Sequence, residues 1–99
     1  MPPAINQSSK ANTPAIVTSA GTAIAENLNR RYWSIQNVGT NPLFVNLGGT
    51  ASSSVFHYVL KGGTGDSDGL GASISSDAVV FTGNITVAGT SPKFVVVEM

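Results

Sequence analysis

Few residues in this chain could carry out chemistry. Its 99 residues include one histidine, His57, and no cysteine. A serine-based triad would have to use His57 as its base, and a histidine-ligated zinc site would need several carboxylate partners. The absence of cysteine excludes a thiol nucleophile, thiolate-ligated metals and disulfide bonds. We interpret His57 as a strand residue and expect no enzyme activity, no metal and no cofactor.

Two aspartates in a glycine-rich stretch suggest cation binding as an alternative. Asp66 and Asp68 stand at positions one and three of a calcium-loop pattern. Gly71 falls at the sixth position and Asp77 at the twelfth. Position five is Leu70, which has no ligand oxygen, and Asp77 is shorter than the glutamate that usually closes such loops. Because glycine and aspartate also favour tight turns, we favour a solvated turn and leave cation binding open.

Two adjacent arginines, Arg30 and Arg31, precede a predicted strand that contains Trp33. The planar guanidinium group suits bidentate contact with a carboxylate, so this pair could clamp an acidic group on a partner subunit. A solvated strand edge explains the pair equally well. We keep both residues as candidates for contact with a partner.

The low charge of the chain restricts its classes of partner. Charged residues make up 10% of the sequence, and five basic residues balance five acidic ones. A nucleic-acid-binding protein usually has a basic surface, so we expect no nucleic-acid partner. A net charge near zero weakens repulsion between copies and favours association. We also predict no membrane partner, since no apolar run or signal-peptide pattern is present.

Short runs with strand-like alternation follow one another from Pro14 onward, separated by turn residues. The predicted strands are residues 15–19, 22–26, 31–38, 43–47, 54–61, 73–75, 78–82, 84–88 and 93–98. The first two flank Ala20-Gly21 and predict a hairpin. The run 54–61 is apolar on both faces, which indicates a central strand or one covered by a partner. The stretch 62–76 is predicted to be an exposed loop that holds the short strand 73–75.

Strands of this length and spacing are typical of an all-β fold. We predict a small antiparallel β-sandwich or a jelly-roll-like barrel over residues 14–99, formed as a single domain. Trp33, Ile35, Val45 and Val96 are the predicted core residues, because each lies on the apolar face of its strand.

Residues 1–13 contain two prolines and almost no large apolar side chains, which predicts an extended N-terminal arm. Such an arm needs a neighbouring subunit to hold it in place. The side chains that we predict to contact partners come from the arm, the arginine pair and the two-sided strand. They are Pro2, Pro3, Ile5, Arg30, Arg31, Phe56 and Tyr58.

The stretch 29–49 combines three features in a fixed order. Arg-Tyr-Trp-Ser-Ile-Gln-Asn at 31–37 precedes a Gly-Thr-Asn-Pro turn at 39–42, and an alternating strand then ends at Gly48-Gly49. This combination resembles a pattern that recurs in small virion proteins of tailed bacteriophages. The likeness continues loosely through Gly83-Asn84-Ile85-Thr86-Val87 to a valine-rich last strand. The resemblance implies a β-sandwich accessory of the particle.

Proteins of this kind include capsid cement or decoration proteins, which commonly form trimers on the capsid and reach neighbours with an N-terminal arm. The resemblance therefore implies the major capsid protein and neighbouring copies of this chain as partners, in a homotrimer. It implies synthesis in the cytoplasm of a bacterial host and a final place on the capsid surface of the virion. The alternatives are a tail or fibre knob, or a receptor-binding module in which Phe56, Tyr58 and the Asp66–Asp68 loop recognise a glycan. No catalytic residue is implied.

Overall fold

The computed structural model describes Asn12 and residues 14–99. These residues form seven strands and no helix, as the all-β prediction requires. The strands are β1 (Gly21–Ile24), β2 (Trp33–Asn37), β3 (Leu43–Leu47), β4 (Tyr58–Leu60), β5 (Ser73–Ser75), β6 (Ile85–Ala88) and β7 (Phe94–Glu98). Within the described part of the chain, no helix is long and apolar enough to cross a membrane.

The strands form two antiparallel sheets. One sheet has the order β1-β6-β3-β4 and the other has the order β5-β2-β7. Every pairing within them is antiparallel, and β2 pairs with β7 over five consecutive residues from Trp33↔Glu98 to Asn37↔Phe94. The two sheets pack against each other, so the prediction of a small β-sandwich is confirmed.

Alternation within the strands builds the core between the sheets, because successive side chains point to opposite faces of a sheet. β2 buries every second residue from Trp33 to Asn37. Trp33, Ile35 and Val45 are buried, and Val96 is half-buried against the same cluster. The fully enclosed members of the cluster are Ile24, Trp33, Ile35, Leu43, Val45, Leu60, Ile85, Val87 and Phe94. Each such side chain contributes about 1.5–3 kcal/mol relative to an exposed position.

The predicted hairpin around Ala20-Gly21 is wrong. Val17 forms a bridge with Phe94 of β7, whereas β1 pairs with β6 from Gly21↔Val87 onward. The chain therefore crosses from one sheet to the other at this point. Gly21 has a φ of 121°, a backbone conformation that residues with a side chain rarely adopt. Glycine at this position therefore permits the change of direction. Alternation of apolar and polar residues identifies a strand but not the strand that it pairs with. The segments before and after Ala20-Gly21 both alternate, although they pair with different strands.

Two other predicted strands are shorter or absent. Only Tyr58–Leu60 is a strand within 54–61, because Ser52 and Val55 close a tight turn with reciprocal backbone hydrogen bonds. Residues 78–82 do not form a strand. The carbonyl oxygens of Phe81 and Thr82 accept hydrogen bonds from the Arg30 side chain and a loop amide instead. These two carbonyl oxygens therefore bond to groups outside any neighbouring strand, and residues 78–82 join neither sheet.

Residues 48–56, which we call the cover loop, pack over the outer face of the four-stranded sheet. The Ala51 N–H donates to Thr86 Oγ1 at 2.9 Å, and this hydroxyl donates to Gly49 O at 2.7 Å. Phe56 packs against Phe44, with ring centroids 5.0 Å apart. The loop therefore buries Thr86, although its position in β6 directs its side chain away from the core.

Replacing Thr86 with valine should lower the free energy of unfolding by about 1–3 kcal/mol, because the Ala51 N–H would stay buried without an acceptor. Thr22→Val is the matched control. Thr22 is exposed and is the cross-strand partner of Thr86, so its replacement should change stability by less than about 0.5 kcal/mol. Urea unfolding measures both values. Equal effects of the two substitutions would contradict the role of Thr86 in holding the loop.

Candidate docking surface

Arg30 lies inside the fold, whereas its neighbour Arg31 is exposed. Arg30 Nε donates to Glu98 Oε2 at 2.9 Å, Nη1 to Phe81 O at 2.6 Å and Nη2 to Ala25 O at 2.6 Å. The guanidinium group thus joins the nearby Ala25 to two segments that are distant in sequence, at Phe81 and Glu98. Because its donors are used internally, our prediction that Arg30 contacts a partner is corrected: its role is structural.

Asn37 is a second polar side chain committed to the interior. Its Nδ2 donates to Leu60 O at 2.9 Å and to Asn41 O at 2.8 Å, and its Oδ1 accepts from the Gly39 N–H at 2.9 Å. The first of these bonds connects β2 in one sheet to β4 in the other. The remaining two close the turn that follows β2. Asn37 therefore fixes the position of the edge strand β4.

The Asp68 carboxylate organises the glycine-rich loop. Its Oδ1 accepts from the Leu70 N–H at 2.9 Å. Its Oδ2 accepts from the Thr64 hydroxyl at 2.9 Å, and from the Gly65 N–H at 2.8 Å and the Thr64 N–H at 3.0 Å. These hydrogen bonds, that from Leu70 first, lower the pKa of the Asp68 carboxyl below its ordinary value. Four donors from its own loop thus bond this carboxylate, three of them at Oδ2 and one at Oδ1.

This arrangement gives the calcium alternative no support. Asp66 forms an ion pair with Lys93, and Asp77 accepts a hydrogen bond from the Ala78 N–H. Within the described residues, no group of three or more histidine, cysteine, aspartate or glutamate side chains could hold a metal ion.

The Asp68 loop should respond to acid in a defined direction. Because the pKa of Asp68 is lower in the folded chain than in the unfolded chain, its carboxylate contributes stability above about pH 4 that is lost as the pH falls through the folded-state value. NMR should show the Thr64, Gly65 and Leu70 amides losing their native chemical shifts in strong acid. Asp68→Ala should produce this change at neutral pH, whereas Asp77→Ala should not. Native shifts for the three amides in Asp68→Ala would contradict this role.

His57 makes its hydrogen bonds with the backbone of β3. The imidazole Nδ1 accepts from the Leu47 N–H at 3.0 Å, and the backbone N–H of His57 donates to Val45 O at 2.8 Å. The side chain is exposed and lies just before β4. The imidazole therefore holds a loop in place, and its partner is an amide rather than a nucleophile to be activated.

Exposed apolar residues follow one another on both sides of His57. We call Val55, Phe56, Tyr58 and Val59 the apolar strip, and each is between 40% and 54% exposed. In β4, Tyr58 lies opposite Val45 and Val59 lies opposite Phe44, so these two side chains leave opposite faces of the edge strand. β4 pairs with β3 on one side, and no strand of the described chain pairs with its other side. The open side of an edge strand can pair with a strand of another chain, and apolar side chains beside it favour such association. The strip is also well ordered, since Phe56 is packed on Phe44.

The strip itself contains no charged residue. Arg30 pairs with Glu98, and Lys93 pairs with Asp66, so these four charges are compensated within the chain. Lys61 is the nearest charged residue along the sequence and follows β4. Docking at the strip therefore requires little desolvation of charge, which would otherwise oppose burial.

Other exposed apolar residues and grooves are less suited to docking. Leu28, Leu70 and Val79 are highly exposed but lie singly on loops. Two open grooves of about 280 and 380 Å3 lie beside β1. They are lined mainly by alanine, valine, threonine and glycine, and neither has an aromatic side chain in its lining. They lack the aromatic platform that a sugar-binding site usually offers.

The structure brings only some of the predicted contact residues together. Phe56 and Tyr58 lie in the apolar strip. Arg31 is exposed near the C-terminus, where its backbone N–H donates to Met99 O. Pro2, Pro3 and Ile5, with the rest of the predicted arm except Asn12, lie outside the described residues. Val59 was not among the predicted contact residues, because its exposure depends on β4 being an edge strand. Comparisons with protein-family models, curated proteins and solved structures found no match to this chain.

Proposed function

We propose that this protein is a non-enzymatic structural protein that docks onto a larger assembly through the β4 edge. The single observation that carries the proposal is the apolar strip of Val55, Phe56, Tyr58 and Val59 at the edge strand β4, whose second side pairs with no strand of the described chain. Polar groups that could otherwise suggest chemistry serve the fold: Arg30, Asn37 and Asp68 all use their hydrogen-bonding capacity internally. Association is what the remaining surface is suited for.

The assembly that we propose is a bacteriophage capsid, with this chain as a cement or decoration protein. The resemblance of residues 29–49 to small virion proteins supports this choice, and so does the neutral composition of the chain. The major capsid protein and neighbouring copies of the chain in a homotrimer would be the partners. The predicted arm, residues 1–13, would add a second contact with a neighbour. A place in the tail or fibre is the related alternative.

The size of the apolar strip suits a repeated contact. Completing the burial of four half-exposed side chains contributes roughly 1 kcal/mol each, since full burial of such a side chain is worth about 1.5–3 kcal/mol. Association of two proteins costs about 4–15 kcal/mol in lost freedom of motion. The strip alone therefore makes a weak pairwise contact. On a particle surface, additional contacts and a high effective concentration turn a weak contact into stable occupancy.

A glycan-binding role is less well supported by the geometry. Exposed Phe56 and Tyr58 could provide a stacking surface, but the Asp68 carboxylate already accepts four hydrogen bonds within its own loop, which leaves it fewer acceptor positions for a sugar hydroxyl. A sugar site needs polar groups placed beside the aromatic rings. We therefore treat glycan recognition as the alternative outcome of the experiment.

Cryo-electron microscopy of virions purified from the phage that encodes this chain tests the proposal. We expect density for the β-sandwich on the head, with β4 against a capsid subunit or a neighbouring copy. A parallel glycan array with the purified chain should be negative. Density on the tail with a positive array would favour the receptor-binding alternative. Virions without this density, or with β4 facing solvent, would contradict the proposal.

A further inference from the structure

We propose that His57 is a pH-sensitive latch that fastens the base of the cover loop while its Nδ1 is unprotonated and loosens that base on protonation. The inference starts from the direction of one hydrogen bond. The Leu47 N–H donates to His57 Nδ1 at 3.0 Å, so this nitrogen must present a lone pair. A protonated imidazole carries a hydrogen on both nitrogens and accepts no hydrogen bond. Protonation at Nδ1 therefore removes the bond and sets two N–H groups against each other.

This hydrogen bond closes the base of the cover loop. Leu47 ends β3 and His57 precedes β4, so the two residues flank the loop of residues 48–56 on either side. At its tip the loop is held separately by the Ala51 N–H bond to Thr86. The backbone bonds from the His57 N–H to Val45 O and from the Gly48 N–H to Asn84 O, and the bond from the Thr86 hydroxyl to Gly49 O, do not depend on the imidazole. Protonation thus removes one of several hydrogen bonds that hold the loop. We expect the loop to loosen at its base while the sheets remain folded.

The surroundings of His57 contain few groups that could compensate a positive charge. β3 and the cover loop contain no titratable side chain, and β6, which packs beneath the loop, contains none either. β4 contributes Tyr58, and Lys61 follows it as a further positive charge. No carboxylate from these elements faces the imidazole to replace the lost bond with an ion pair. His57 is exposed, so protons reach it directly from solvent.

Release of the loop would also change the apolar strip. Val55 and Phe56 belong to the cover loop, whereas Tyr58 and Val59 belong to β4. Loosening separates these two halves and disturbs the packing of Phe56 on Phe44. If the strip is the docking surface, acid weakens docking. This consequence rests on the proposed function, but the latch itself does not.

NMR of the full chain between about pH 8 and about pH 5, the range in which histidine changes charge, tests the latch. We expect the Leu47 amide signal to move with the protonation of His57. Its hydrogen exchange, corrected for the intrinsic effect of pH, should become about tenfold faster, as expected for the loss of one hydrogen bond. An unchanged Leu47 signal across the titration of His57 would overturn the inference.

Two variants complete this experiment. His57→Asn keeps an acceptor oxygen near the position of Nδ1 and does not titrate, so its Leu47 signal should be independent of pH. His57→Ala removes the acceptor and should show fast Leu47 exchange at both pH values. A pH response in His57→Asn equal to that of the unmodified chain would contradict the latch. Because these measurements use the isolated protein, they can fail or succeed independently of docking to a particle.

Discussion

Arg30→Met is expected to lower the free energy of unfolding by about 3–5 kcal/mol. The substitution keeps an unbranched apolar stem but removes every donor of a buried guanidinium group. It leaves the carbonyl oxygens of Phe81, Gly83 and Ala25 without their donor and Glu98 without its ion-pair partner. A buried acceptor that loses its partner costs far more than an exposed one. Thermal and urea unfolding measure the loss.

Arg31→Met is the matched control, because the two arginines are adjacent and differ in burial. Arg31 is exposed, so its substitution should change stability by no more than about 0.5 kcal/mol. The loss of stability in Arg30→Lys should lie between those of Arg30→Met and Arg31→Met. Lysine retains the positive charge but lacks the planar guanidinium group that reaches several acceptors. Similar losses in Arg30→Met and Arg31→Met would contradict the structural role of Arg30.

Asn37→Ala should lower the free energy of unfolding by about 3 kcal/mol. Its side chain is almost completely buried, and it serves the Gly39 N–H and the carbonyl oxygens of Asn41 and Leu60. Each polar group that stays buried without a partner costs about 1–3 kcal/mol. Since the bond to Leu60 joins the two sheets, we also expect faster hydrogen exchange in β4. Urea unfolding and exchange measurements report the two effects.

Asn29→Ala controls for the general effect of removing an asparagine side chain. Asn29 is exposed, so its replacement should leave stability nearly unchanged. If Asn37→Ala were as stable as Asn29→Ala, the hydrogen bonds assigned to Asn37 would not hold the two sheets together. Unchanged exchange in β4 would lead to the same conclusion.

Much of the fold could be predicted from local patterns. The strict alternation around Ile35 and Val45 identified β2 and β3, and the turn residues at 39–42 identified the link between them. The partner of each strand was harder to predict, because alternation identifies a buried face and not a neighbour. The segments around Val17 and β1 show this difficulty, since each pairs with a strand far away in the sequence.

The roles of the polar residues depend on contacts that are distant in sequence. Arg30 could be recognised as structural only once residues 81–83 were known to pack beside it. Asn37 carried one local signal, a side chain that bonds the amide two residues later, but this signal does not reveal burial.

The proposed function depends on the apolar strip, and so the most direct test changes its exposed centre. Val59→Lys places a charge on the outer face of the edge strand, where lysine discourages pairing with another chain. Val79→Lys is the control, because Val79 is 88% exposed on a loop outside the strip. Occupancy of each variant on virions produced without the native protein is the measurement. We predict at least about a tenfold loss for Val59→Lys, equivalent to about 1.4 kcal/mol, and native occupancy for Val79→Lys. Native occupancy of Val59→Lys, or equal losses in both variants, would contradict docking through the β4 edge.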